Sequence, residues 1–413
     1  MKNEIFKNIE NPKELELLFR KNKSSFTENF NLLFEEIKQF PAAQIWNERL
    51  NFIEEKNWFN KKEFITILFF ILIAGFLAKI PDFTGIDQEI FYSRNIGLII
   101  FPFLTFYYFI KQNLPIQKLW FPLSAFIVLS IFMNTLPPDV NNDSFVLANL
   151  HFPIFLWTVW GYTYVGVPFV NYIRKIGFLK LNGDFLVMSV ILGLSELLFT
   201  GITAGLFSLL DIDIEYFITH YLIFWGLPAI PLLAAYLVES IPQIVQKISP
   251  VIARIFTPLV FLTLLIFLGA IIFSGKNPYL DRDFLLLFNV VLIAVLALII
   301  FSLGEISTTP KNKSGLIILF ALSILTIVEN AIALSAITFR LAEYGLTPNR
   351  IAVLGANILI IINLILVAFK LLRVIKGKLN TEDIEKSIAS YLPVYSIWTL
   401  LVMLLFPLVE ILF

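Results

Sequence analysis

Nineteen consecutive residues, 351–369, read IAVLGANILIIINLILVAF and carry no charged side chain. A helix of that length extends about 28 Å, close to the ~30 Å hydrocarbon core of a bilayer. Comparable apolar stretches recur along the chain, at about 64–80, 96–110, 119–136, 145–170, 184–210, 215–239, 257–274, 284–304, 314–340, 350–375 and 392–412. The second is short and interrupted by Pro102, which makes it the weakest of the series. The expected fold is therefore all-α: a polytopic helical membrane bundle of about eleven spans, occupying residues 61–413.

Composition agrees. Charged residues make up 15% of the 413 residues and the mean hydropathy is +0.82, whereas a soluble domain carries about 25% charge. In water such a chain would expose far too much apolar surface, so lipid is the solvent it fits and the bilayer its first partner. The formal net charge is zero, which gives no reason to expect a nucleic-acid partner. Cysteine is absent and there are only two histidines, His151 and His220. Disulfides, thiolate metal centres and a three-histidine metal site within one chain are thereby excluded. No cofactor or metal is expected.

Residues 1–60 are of a different kind, and a small cytosolic domain of amphipathic helices is expected there. "NPKE" at 11–14 reads as a helix start, with Asn11 as cap and Pro12 in the first turn. Phe26, Phe30, Leu33, Phe34 and Ile37 fall on one helical face, and Ile45, Trp46, Leu50 and Ile53 on another. This region caps the bundle or docks a cytosolic protein partner. The N-terminus lacks the order of a cleaved signal, so the first apolar run is expected to be a retained span.

Basic residues set the orientation. With the N-terminus inside, 11 precede Phe64 and 14 more fall in the inner loops, against six outside: Lys79, Arg94, Lys276, Arg282, Arg340 and Arg350. Eleven spans then leave the C-terminus outside. "GLPAIP" at 226–231 is the expected broken helix, and residues 240–256 read as an amphipathic helix along the interface. Trp120, Trp157, Trp160, Tyr162 and Tyr164 fit an interfacial aromatic belt.

An ionisable group in mid-bilayer costs about 2.5–3.5 kcal/mol or more. Glu196 and Glu329 lie near the middle of the fifth and ninth spans, at equal depth. Asn330 follows Glu329, and Asn289, Asn357 and Asn363 add polar groups to the eighth and tenth spans. These residues suit either a polar cavity or proton relay, or a set of hydrogen bonds tying helices together. His151 and His220 fall in the outer parts of their spans without a metal-binding spacing. Glu239 and Glu410, near span ends, are within reach of water and headgroups.

Between the ninth and tenth spans stands "TFRLAEYGLTPNR", residues 338–350. Gly345 suits a left-handed helix end, and Thr347–Pro348 a cap and first turn, so a tight hairpin is expected. Arg340 lies at a helix C-terminus, where a cation is favoured, and Arg350 in a first turn, where it is not. Glu343 is the expected partner of Arg350. The bland reading is a stapled hairpin with snorkelling arginines; the sharper one is the mouth of an anion-attracting cavity.

The pattern Arg340, Tyr344, Gly345, Leu346, Thr347, Arg350 resembles the hallmark hairpin of a large bacterial family of multipass membrane proteins of unknown function. Residues 11–22 and 45–52 are similar to the soluble head of some members. The resemblance implies a polytopic inner-membrane protein and supplies no activity, substrate or catalytic residue. The leading functional expectation is binding or translocation of a small solute or ion through a polar intramembrane cavity, using Glu196, Glu329, Asn330, Arg340, Glu343, Tyr344 and Arg350, with His151 and His220 as further polar candidates. The alternatives are a non-transporting scaffold or sensor and an intramembrane enzyme on lipid-linked substrates, for which no nucleophile–base pair is visible.

Overall fold

The computed structural model describes residues 2–21, 23–51, 60–139, 142–166, 171–209, 212–274, 279–280, 282–306 and 313–412. Among the described residues every regular element is helical. The chain divides into two compact units, Met1–Trp58 and Phe59–Phe413.

The first unit contains α1 (Lys2–Lys7), α2 (Pro12–Lys21), α3 (Lys23–Ile37) and α4 (Pro41–Asn51). The α2 start is built as the sequence suggests: the Asn11 side chain accepts the Glu14 amide at 3.3 Å. Phe26, Phe30, Leu33 and Ile37 all enter its core, whereas Phe34 is half-buried beside it. On α4 the inward face is rotated from the expected one. Ala43 and Trp46 are buried, and Ile45 is 68% exposed. Ile53 lies outside the described residues. Trp46 sets this register because its ring packs on Phe19 and Phe26 and lies under the Arg49 guanidinium. Arg49 also reaches Glu16 at 2.9 Å. Arg20 and Arg49 together hold the Glu16 carboxyl below its usual range.

The second unit contains α5 (Lys61–Ala78), α6 (Ile80–Thr84), α7 (Gln88–Lys111), α8 (Trp120–Thr135), α9 (Asp143–Val165), α10 (Tyr172–Ser208), the single turn α11 (Glu215–Phe217), α12 (Ile223–Ser240), α13 (Pro242–Ser274), α14 (Arg282–Ile306), α15 (Lys313–Tyr344), α16 (Pro348–Ile375) and α17 (Thr381–Leu412). Among the described residues nine helices are long and apolar enough to cross a membrane. The other two expected spans coincide with α5, whose first turn is charged, and α14, whose apolar part is Phe288–Leu303. The weakest expected span belongs to the 24-residue α7, which runs on through Pro102.

Two large apolar clusters organise the unit. One joins α5, α7, α9, α10 and α12 and includes Trp160, which is fully buried rather than part of an interfacial belt. The other joins α13 to α17. A smaller cluster of α8, α9 and α17 connects to Leu98 and Phe101 of α7. Close approach depends on glycine at particular crossings. A Cβ on Gly75 would fall 2.4 Å from the Trp225 ring, and one on Gly355 would fall 2.1 Å from Trp398.

Two expectations about backbone are corrected. α12 continues through Pro228 and Pro231 instead of breaking at "GLPAIP". The irregularity lies one turn earlier, in a widened π-type turn at Ile218–Leu222. Proline removes one hydrogen bond and crowds the carbonyl four residues back, which packed neighbours can absorb as a bend. At the wide turn the Lys79 ammonium donates to the His220 carbonyl at 2.6 Å and to Asp82 at 2.5 Å. Likewise residues 242–256 form no separate interfacial helix. They are the first turns of the 33-residue α13, which passes through Pro250 and Pro258.

Arg94 shows how this unit handles a buried charge. It is only 8% exposed and donates to the carbonyls of Asn134 (3.2 Å) and Leu136 (2.6 Å) at the end of α8. Asn95 and Asn134 exchange side-chain hydrogen bonds beside it. Replacing Arg94→Met should destabilise the protein by about 1.5–3 kcal/mol, the value of a charge-assisted hydrogen bond. Thermal unfolding of the purified protein in detergent measures this, and an unchanged Tm would contradict the clamp.

Candidate functional site

α15 buries one continuous stripe: Leu316, Leu319, Leu322, Thr326, Glu329, Ala333 and Ile337 follow one another at helical spacing, and Asn330 borders it. The stripe packs against α16, α14 and α13. Glu329 and Asn330 are both 0% exposed. Neither carboxylate oxygen of Glu329, nor the oxygen or nitrogen of the Asn330 amide, has a hydrogen-bond partner among the described residues. Ser323 and Thr326 nearby satisfy themselves on the carbonyls four residues back.

The α15–α16 turn fixes what lies level with them. Glu329 precedes Tyr344 by as many residues as Asn363 follows Pro348, so both stand about 22 Å from the hairpin. Asn363 donates to the Tyr395 hydroxyl of α17 at 2.9 Å, and its own oxygen lacks a donor. Nearer the hairpin, Asn357 donates to Asn289 of α14 at 2.8 Å. Buried polar groups thus recur along α14 to α17, and the Glu329, Asn330 and Asn363 oxygens have no donor among the described residues. An ionised carboxylate in such surroundings costs several kcal/mol unless paired.

Glu196 is placed elsewhere. It is half-buried on α10, and its carboxylate lies against Gly226 of α12, where a Cβ would fall 1.6 Å from Oε1. Leu194, Leu197, Leu198 and Phe199 around it are all more than 60% exposed. The sequence puts the two glutamates at one depth, but the structure gives them different neighbours and does not bring them together. Counting residues fixes height in the membrane, whereas the direction a side chain faces depends on packing.

The hairpin keeps its expected backbone. Gly345 has φ 79°, and Thr347 accepts the Arg350 amide at 3.3 Å. The expected Arg350–Glu343 pair is replaced by another solution: Arg350 donates to the carbonyls of Tyr344 (2.8 Å) and Gly345 (2.7 Å). It thereby caps the C-terminus of α15, a favourable place for a cation, and Glu343 stays exposed. The Tyr344 ring has Arg340 at 5.7 Å and Arg350 at 5.6 Å. Arg340 turns to the Leu280 carbonyl at 3.2 Å rather than inward along the stripe of Glu329.

His151 lies 2.8 Å from the Leu147 carbonyl of its own helix. His220 sits in the wide turn, stacked on Tyr216 at 4.1 Å. Among the described residues no group of three or more acidic or histidine side chains could hold a metal. An open cleft of 460 Å³ at the end of α10, lined by Ala204, Ser208, Asp213 and Glu215, includes none of the candidates.

One constellation was not visible in the sequence. Glu63, Lys111 and Glu239 come from the ends of three helices and meet, with Lys111 at 2.8 Å from Glu63 and 4.0 Å from Glu239. Each falls within a turn of a span end, so each alone reads as a solvated terminus. The side chain of Glu410 lies outside the described residues.

Comparison with protein-family models, with curated proteins and with solved structures gives no match.

Two outcomes are expected. Arg350→Ala removes two charge-assisted hydrogen bonds and should lower stability by about 1.5–3 kcal/mol, whereas Glu343→Gln should stay within about 0.5 kcal/mol; thermal unfolding in detergent separates them. Gly226→Ala should cost about 1–3 kcal/mol through overpacking, and Glu196→Ala should relieve it. A double-mutant cycle should give a coupling above about 0.5 kcal/mol, and additive effects would contradict the contact.

Proposed function

We propose that this chain is a bacterial inner-membrane protein that binds and moves a small solute or ion through the polar seam of α14 to α17. It has eleven spans, a cytosolic N-terminal unit and an outward C-terminus. Glu329 is the central group, with Asn330 and Asn363 beside it in depth. The carrying observation is that Glu329 and Asn330 are fully enclosed yet their side chains lack hydrogen-bond partners among the described residues. A group held at that cost in hydrocarbon is a functional site by default. The basic-residue bias supports the orientation, and the hairpin residues Arg340, Tyr344, Gly345, Thr347 and Arg350 support membership in the multipass family of unknown function. Arg340 and Arg350, held at the hairpin, attract anionic solutes or headgroups rather than reaching Glu329.

In proteoliposomes Glu329→Gln should reduce proton- or cation-coupled flux by about tenfold or more, with Tm retained. Unchanged proton, sodium, potassium and small-anion flux in wild type and variant alike would remove the transport reading.

A membrane scaffold is the second reading. Phe6, Leu17, Leu32 and Ile45 are each more than half exposed on the N-terminal unit, which favours a protein partner there.

A further inference from the structure

The densest group of ionisable side chains lies away from Glu329, where the ends of α5, α7 and α12 meet. Glu63 stands in the first turn of α5, Lys111 ends α7 and Glu239 is in the last turn of α12. Tyr107 and Tyr108 lie one turn deeper on α7, and Tyr236 one turn deeper on α12. All three rings are essentially buried. The basic-residue bias assigns this end to the cytosol.

Charge does not balance here, because two carboxylates share one ammonium. Lys111 makes a close pair with Glu63 at 2.8 Å and only a 4.0 Å approach to Glu239. The Tyr107 hydroxyl reaches Glu63 at 3.4 Å. The Tyr108 hydroxyl faces Glu239 in a loose contact, and the Tyr236 hydroxyl has no partner among the described residues. A simple helix staple would close these contacts, since an unpartnered buried phenol is costly. What the structure shows is an anionic cluster with phenolic oxygens and aromatic faces around it. Lys111 already displays the fitting chemistry: its ammonium sits on one carboxylate and 5.7 Å from the Tyr107 ring, the two contacts that hold alkylammonium ions. The carboxylates and Lys111 retain about a quarter of their side-chain exposure, so the group is reachable from solvent.

The geometry points to a binding site for a small ammonium-type cation at this end of α5, α7 and α12, with Glu239 as its anionic ligand, Tyr108 and Tyr236 as its lining, and Lys111 as a tethered competitor. It does not rest on Glu329.

The test is calorimetric titration of full-length protein in detergent with methylammonium chloride, and separately with potassium chloride. Wild type should bind methylammonium more tightly than potassium. Glu239→Gln should weaken binding by about tenfold, the value of one charge-assisted hydrogen bond. Lys111→Met should strengthen it by a similar factor because the internal ammonium is gone. Glu329→Gln should leave it unchanged. Thermal unfolding verifies that each variant is folded, and if Glu239→Gln is not, Lys111→Met carries the test alone. A staple gives the opposite pattern, in which Lys111→Met loses stability and no variant binds methylammonium. That result, equal binding of potassium, or insensitivity to Glu239→Gln in a folded variant would overturn the proposal.

Discussion

The last carbonyls of a helix have no partner within it, and that deficit organises much of this molecule. The cations answer it. Arg94 closes the end of α8, Arg174 reaches the last carbonyl of α9 and Arg350 closes the end of α15. Lys79 serves the wide turn, while Lys175 and Lys370 both bind carbonyls of α17. A chain with few charges thus spends many of its basic side chains on backbone. Carboxylates are left to find other company, which is why the acids of the membrane unit are its most informative residues.

Long apolar helices and the hairpin were legible in the sequence because they follow from length, charge and turn chemistry. Gly345, Thr347 and Pro348 each demand a particular backbone, and the backbone has it. Pairing across the hairpin was less legible. Glu343 is opposite in charge to Arg350, but two carbonyls at a helix end offer better geometry than one exposed carboxylate. Ile45 misled for a related reason: apolar periodicity on a short helix fits two adjacent faces, and the Trp46 ring decided between them. Prolines 228 and 231 signalled a break, yet the packing around α12 absorbs them and the distortion appears upstream.

The candidate site divides in the same way. Residue counting puts Glu196 and Glu329 at one height. One lies against Gly226 among exposed leucines and the other is enclosed where α15 packs on α13, α14 and α16, a difference that only tertiary packing creates. The Glu63–Lys111–Glu239 group combines three helices distant in sequence, so no local pattern announces it. Its members look ordinary one at a time because charged residues at span ends are common.

The Arg350 clamp has a mechanical corollary. It ties the last carbonyls of one long helix to the first turn of the next, while at their far ends the same two helices are held by shared apolar packing. The pair is thus fastened twice, by charge at the turn and by burial at the other end, and Glu329 stands between the two fastenings.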